Sequence, residues 1–195
     1  MVYTDVFLSY SHLNKEFVRG LADTLQATGR VVWIDEKADQ DNIPAGVDWW
    51  ETIKDAIEKS AVFVFNISPG SLASFTCMME LDYARATGTR IITLKLSPYD
   101  IEKDLLVKLV NPRLNQTQHA MLNSRKPLDV GGENQRVLEQ IQYIDFSDEL
   151  KYDACMTELL TAISTDLDLN RGHAKWYDRA KDWELNSYDG SYLLD

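Results

Sequence analysis

The stretch AVFVFNISPGSLASFTCMMELDYARATGTRIITL, residues 61–94, decides the fold. It opens on Ala61-Val62-Phe63-Val64-Phe65, a continuous apolar run of strand length, rich in β-branched and aromatic side chains. Ser74 then stands where a helix N-cap belongs. Cys77, Leu81 and Ala84 recur at helical spacing, and Gly88 closes a helix predicted over 74–87. Ile91-Ile92-Thr93-Leu94 is a second apolar run. Strand, helix, strand in this order implies a right-handed crossover and a parallel pair. Runs that are apolar throughout, without alternation, belong to a sheet covered on both faces.

The same unit repeats toward the N-terminus. Val6-Phe7-Leu8 follows Asp5 as a first strand. Ser11-His12-Leu13-Asn14 offers two N-caps, and Phe17, Val18, Leu21 and Leu25 make one helical face that Gly29 ends. Val31-Val32-Trp33-Ile34 is the second strand. A polar loop over 36–45, containing Pro44, leads to Gly46 and a helix with Trp49, Trp50, Ile53, Ala56 and Ile57 on its apolar side. Toward the C-terminus, Ile101, Leu105, Leu106 and Leu109 suit a helix stopping at Asn111-Pro112. Residues 113–132 lack periodicity, so 98–140 reads as an irregular excursion. A fifth strand is expected over 141–146. Met156, Leu159, Leu160, Ile163 and Leu167 form a last strong helical stripe. The expectation is an α/β fold: a flavodoxin-like, doubly wound, five-stranded parallel sheet over 1–168, with a helical extension over 169–195. Trp176, Ala180 and Trp183 share a face of that extension. They call for packing on the same domain or on further domains beyond Asp195.

Bulk properties remove several function classes. The chain has 195 residues, 45% of them hydrophobic, enough for one good core. No eighteen-residue apolar run suggests a membrane span, and the N-terminus lacks the pattern of a signal peptide. The formal charge of -11 repels phosphate backbones, arguing against nucleic-acid or anionic-membrane partners. Two distant cysteines, Cys77 and Cys155, read as free thiols in a reducing cytoplasm. His12, His119 and His173 have no metal-ligand spacing around them, so no metal is expected.

In a doubly wound sheet, ligands bind outside the carboxyl ends of the strands. That rule nominates Ser9-Tyr10-Ser11-His12, Asp35 with its loop, and Ser68-Pro69 onward. Glu80 falls about two turns into the helix starting near that edge. The familiar phosphate grips are absent: there is no G-x-G-x-x-G after the first strand and no G-x-x-x-x-G-K-[ST]. There is no G-x-S-x-G nucleophile elbow. A receiver domain would carry a phosphorylatable aspartate at the end of the third strand, where this chain has Asn66 to Ser68.

These residues together resemble a TIR (Toll/interleukin-1 receptor) domain. Asp5-Val6-Phe7-Leu8-Ser9-Tyr10-Ser11 is similar to the family's first-strand box. Val32-Trp33-Ile34-Asp35 with Gly46 and Trp50 resembles its second strand, BB loop and next helix. Ile67-Ser68-Pro69 with Ser74, Cys77 and Glu80-Leu81 resembles its third box, and Ile91-Ile92 its fourth strand. The motifs occur in order over about the first 97 residues. The tail, with His173, Trp176 and Ser191-Tyr192-Leu193-Leu194, resembles the segment C-terminal to the TIR domain in some bacterial multidomain proteins.

The resemblance implies one of two activities. Many members cleave NAD⁺ to nicotinamide and ADP-ribose or a cyclic isomer, with NAD⁺ as substrate and no further cofactor. Others are non-catalytic modules for homotypic TIR–TIR assembly. Catalytic members carry a glutamate in the third helix downstream of a Ser and a Cys, which here is Glu80 after Ser74 and Cys77. The implied setting is bacterial defence signalling switched on by self-assembly. Many catalytic relatives have a tryptophan just before the Cys, where this chain has Thr76.

One glutamate suffices for such chemistry. Nicotinamide leaves a pyridinium cation as a neutral amide and needs no proton, so the second carboxyl of ordinary glycoside hydrolysis is dispensable. A carboxylate beside the ribose stabilises the oxocarbenium-like transition state. Tyr10, Trp33, Trp49 and Trp50 are candidate aromatic walls, and Ser11, His12 and Lys37 candidate pyrophosphate donors. Pro44 and Ala45 belong to the polar loop expected to gate the site. Each has a plainer reading. Charged helix residues such as Glu80 are usually solvated. Cys77 reads as a buried small hydrophobe, Ser74 as an N-cap, and Trp50 as core. Trp33, in a buried strand, fits core packing at least as well as substrate stacking, and Trp49 fits either. Asp35 fits a role pinning its loop, and His12 an exposed helix start.

Overall fold

A computed structural model describes residues 3–34, 49–101, 104, 116–189 and 191. Five parallel strands form one sheet in the order β2-β1-β3-β4-β5. They are β1 (Thr4–Ser9), β2 (Val32–Ile34), β3 (Ser60–Ile67), β4 (Arg90–Lys95) and β5 (Tyr143–Asp145). This is the flavodoxin-like arrangement, whose strand order reverses between β1 and β3. Register pairs Phe7 with Trp33 on one side and with Phe63 on the other.

Alternation along the strands divides two cores. Phe7, Phe63, Phe65 and Ile67 face α2 (Trp49–Glu58) and α4 (Phe75–Ala86). Val6, Leu8, Val62, Val64 and Leu94 face α1 (Lys15–Ala27) and α7 (Tyr152–Ser164). Phe7 stacks on Trp33 at 4.4 Å and on Phe63 at 5.3 Å between ring centres. Each such fully buried ring contributes about 2–3 kcal/mol. The stacking makes Trp33 a partner of the core.

A four-residue helix, α3 (Pro69–Leu72), starts from a capping box between Ser68 and Ser71. The helix expected over 74–87 is α4, capped by Ser74, whose hydroxyl accepts from the Cys77 amide at 3.3 Å. It ends where Gly88 takes φ +70°, a conformation glycine adopts without strain.

The excursion over 98–140 is not irregular where it is described. It holds α5 (Gln116–Leu122) and α6 (Pro127–Gln140). Pro127 opens α6 at its first turn, a position that needs no amide donor. Gly131 and Gly132 lie inside this helix and mask its period, since glycine disfavours helix by about 1 kcal/mol. The helix forms because Val130 and Leu138 bury against α4 and buried Asn134 donates to the Met78 carbonyl at 2.8 Å. The helix suggested by Leu105, Leu106 and Leu109 lies outside the described residues. The fifth strand is shorter than 141–146, because Ile141 ends α6.

The last apolar stripe is also broken. Asp166 adopts φ 54°, so α7 stops at Ser164 and Leu167 starts α8 (Leu167–Leu185). This long helix packs along the N-terminal ends of the strands and beside α2. Its buried residues are Ala174 and Asp178, flanked by Arg171 and Lys181, which reach Asp5 and Glu58; of the expected face only Trp183 is half-buried. Trp176 is 55% exposed beneath the Arg179 guanidinium, and Ala180 is exposed too. Tyr192, Leu193 and Leu194 lie outside the described residues. None of the described helices is long and apolar enough to cross a membrane.

Candidate functional site

The crevice forms where β1 ends and the chain turns away from the sheet. Ser9 is the last residue of β1 and projects to the α4 side, two residues beyond Phe7. Its hydroxyl donates to Glu80 Oε2 at 2.6 Å. Glu80 is only 4% exposed, so it is not the solvated helix residue its charge suggests. The next carbonyl, Tyr10, accepts from the Cys77 thiol at 3.2 Å. Strand β1 and helix α4 are thus joined by two consecutive polar contacts.

The loop after β1 is tightly built. Ser11 caps a single 3-10 turn (His12–Asn14), accepting from the Leu13 amide. Asn14 accepts from the Ser68 hydroxyl at 2.7 Å, tying this turn to the start of α3. Gly70 sits against the loop so closely that a Cβ there would lie 2.7 Å from Ser11 Oγ. Asn66 at the end of β3 donates to the Ser9 carbonyl at 2.9 Å.

These contacts leave a cavity of about 50 Å³ lined by Leu8, Tyr10, Ser11, His12, Ser74, Thr76, Cys77 and Glu80. Six of the nominated residues therefore meet there: Tyr10, Ser11, His12, Ser74, Cys77 and Glu80. Three nominated aromatic walls do not. Trp33 is stacked on Phe7, and Trp49 and Trp50 line a separate groove of about 750 Å³ with Tyr83 and Arg125. Asp35, Lys37, Pro44 and Ala45 lie outside the described residues. The contact that residue-by-residue nomination missed is the one from Ser9 to Glu80. The period of two along a strand could have found it, since it puts Ser9 on the same face as Phe7.

Burial, and then the neighbouring Glu80 carboxylate, push the Cys77 thiol up to about 12. At neutral pH it stays protonated, which removes it as a nucleophile. The lining includes no lysine or arginine among the described residues. No cluster of three or more His, Cys, Asp or Glu among them could hold a metal ion. What the site offers is one oriented carboxylate, one imidazole, several hydroxyls and a protonated thiol, with Leu8 as its aliphatic member. That set suits stabilising a positive charge more than attacking a carbonyl.

A family model of the TIR domain matches residues 6–160. Among solved structures, the chain is similar to the TIR domain of the Toll-related receptor TRR-2 from Hydra magnipapillata. Identity is 20% over 82% of this chain and 98% of that one, with a TM-score of 0.53. It is also similar to the TIR domains of the activated Roq1 resistosome, which recognises the pathogen effector XopQ. There identity is 18% over 82% of this chain and 99% of that one, with a TM-score of 0.57. At these identities the likeness is one of fold. No curated protein matches the chain.

Proposed function

Because this chain belongs to the TIR domain family, we propose that it cleaves the nicotinamide N-glycosidic bond of NAD⁺, with Glu80 as the catalytic residue. The observation that carries this reading is the placement of Glu80. It is buried, held by Ser9, and borders the cavity at the carboxyl ends of the strands. A carboxylate there would face the ribose as nicotinamide departs and offset the charge growing on the ring. In a water-poor pocket this interaction is far stronger than in solvent. The neutral leaving group asks for no acid, consistent with the single carboxylate among the described residues of the lining. Water capture gives ADP-ribose; capture by a nucleophile of the same molecule gives a cyclic isomer.

The cavity of about 50 Å³ is well below the roughly 300–1,000 Å³ of small-molecule sites. Only the reacting end of the dinucleotide would enter, and the mouth beside Tyr10 and His12 must widen. Residues from the 35–48 segment, with Lys37 as the nominated cation, would serve the pyrophosphate. We expect self-assembly to supply the widening, and a cytoplasmic role in defence signalling, as the bacterial members of the family suggest. The Roq1 TIR domains likewise belong to an activated resistosome.

Concentrated protein, with and without a crowding agent, incubated with NAD⁺ should release nicotinamide, read by chromatography. Glu80→Gln should lower the rate at least about 100-fold. Equal release by the variant and the assembled wild type would remove the enzymatic reading. A second reading, a non-catalytic homotypic assembly module, is favoured by one feature. Thr76 lines the cavity where many catalytic relatives place an aromatic ring.

A further inference from the structure

We propose that Ser9 is a positioning residue for Glu80, setting the carboxylate from the end of β1. This rests on the reading of Glu80 as the catalytic group. The donor is assigned by chemistry, since a carboxylate only accepts and the serine hydroxyl must therefore give its proton. At 2.6 Å the contact has the length of a charge-assisted O–H···O⁻ bond, about twice as strong as a neutral one. Both side chains are buried, Ser9 at 1% and Glu80 at 4% exposure.

What separates this serine from a loop hydroxyl is its mounting. Its backbone lies in register with Phe65 of β3, and its carbonyl is fixed by Asn66. It continues the face that carries Phe7, which is packed between Trp33 and Phe63. The hydroxyl is therefore delivered to α4 by a deeply packed part of the sheet. Glutamate has three rotatable side-chain bonds, and a carboxylate acting on a transient cation must sit within a fraction of an ångström of its working place. The bond from Ser9 removes that freedom before substrate arrives.

The test compares Ser9→Ala, Ser9→Thr and Ser9→Cys with wild type, each checked by circular dichroism for an intact fold. In nicotinamide release, Ser9→Ala should lose about 10- to 100-fold in kcat with KM little changed. Ser9→Thr, which keeps the hydroxyl, should recover most of the loss, and Ser9→Cys, a weak donor of similar size, should not. Wild-type kcat in Ser9→Ala, or a Ser9→Thr as impaired as Ser9→Ala, overturns the assignment. A second readout needs no turnover. With glutamate labelled at the side-chain carboxyl carbon, the Glu80 resonance is identified by its loss in Glu80→Gln. It should move in Ser9→Ala and Ser9→Cys and stay near its wild-type position in Ser9→Thr. A resonance indifferent to all three overturns the contact. Movement in a protein that releases no nicotinamide keeps the contact and overturns only the enzymatic reading.

Discussion

At the scale of single residues, the environment of Cys77 sets its thiol apart from the other polar groups of the crevice. The thiol is buried beside Glu80 and donates to the Tyr10 carbonyl. Its pKa is raised from 9.0 to about 12, so the folded state favours the neutral form. Any stability this contributes is complete below pH 9 and fades as pH rises toward 12. Cys155 is also free and buried, with its thiol likewise pushed up, first by burial. Neither thiol should react measurably with a disulfide reagent within minutes at pH 8, and both should react at once in denaturant. Fast labelling of Cys77 in the native protein would show that the crevice opens without a partner. Glu80 itself could be nominated from sequence because Ser74 and Cys77 stand upstream of it in a recognisable order. Its burial could not be read there, since it depends on Ser9, 71 residues away in the chain.

At the scale of elements, the part of the chain without periodicity covers the helix that carries Glu80. Helix α4 is buried on nearly every side, at Cys77, Met78, Met79, Glu80, Leu81, Asp82 and Ala84. The sheet covers one side and α6 the other, where Arg85 and Arg125 bridge Asp82 and Glu133. The strands and α4 were legible because each carries its own apolar pattern and caps. Helices α5 and α6 were not, because α6 is held by tertiary contacts that override its two internal glycines. Strand β5 is the other weakly patterned element, only three residues long at the sheet edge. Lys95 of β4 lies opposite Asp145 and pairs with it at 2.9 Å, while Ser147 donates to Asp145 from both amide and hydroxyl. The Ser147 hydroxyl, then Lys95, hold the Asp145 carboxyl down from 3.8 to about 2. A depressed pKa stabilises the fold above pH 3.8, and that contribution is lost as pH falls through about 2. Since Asp145 is 44% exposed, solvent screening limits the effect to below about 1 kcal/mol. Asp145→Asn should thus melt roughly a degree or two lower than wild type at pH 7, and the gap should close by about pH 2–3. A gap that persists at the lowest pH would assign the effect to lost shape at the β5 edge.

At the scale of the whole molecule, the polar contacts gather at opposite ends of the sheet and do different work. The carboxyl end holds Ser9, Glu80 and the cavity. The amino end is clasped by α8, where Arg171 pairs with Asp5 at 2.7 Å and Tyr3 donates to Asp178 at 3.2 Å. The centre of the clasp is Glu58, whose side chain is 1% exposed and accepts from Lys181 at 2.8 Å and from the Tyr83 hydroxyl. Burial, then this bond to Glu58, push the Tyr83 phenol up, so it remains a donor at any working pH. A carboxylate so deeply placed is tolerable only with its partners present. Lys181→Ala removes one of these donors and should cost about 1–3 kcal/mol, roughly 3–10 °C in melting temperature for a chain of this size. Glu58→Gln added to Lys181→Ala should recover part of that loss, because no buried charge is then left unmatched. The double variant melting no higher than Lys181→Ala would mean that the lysine stem, not the ion pair, holds α8 in place. Nicotinamide release per folded molecule should be unchanged in both variants at 25 °C, since no residue of the clasp lines the cavity. Tyr83 lies one turn beyond Glu80 on α4, so it offers a physical path between the two ends. A fall in activity in a fully folded Lys181→Ala would therefore trace to α4 shifting along that path, and would make the C-terminal helix a control on the site instead of a brace for the sheet.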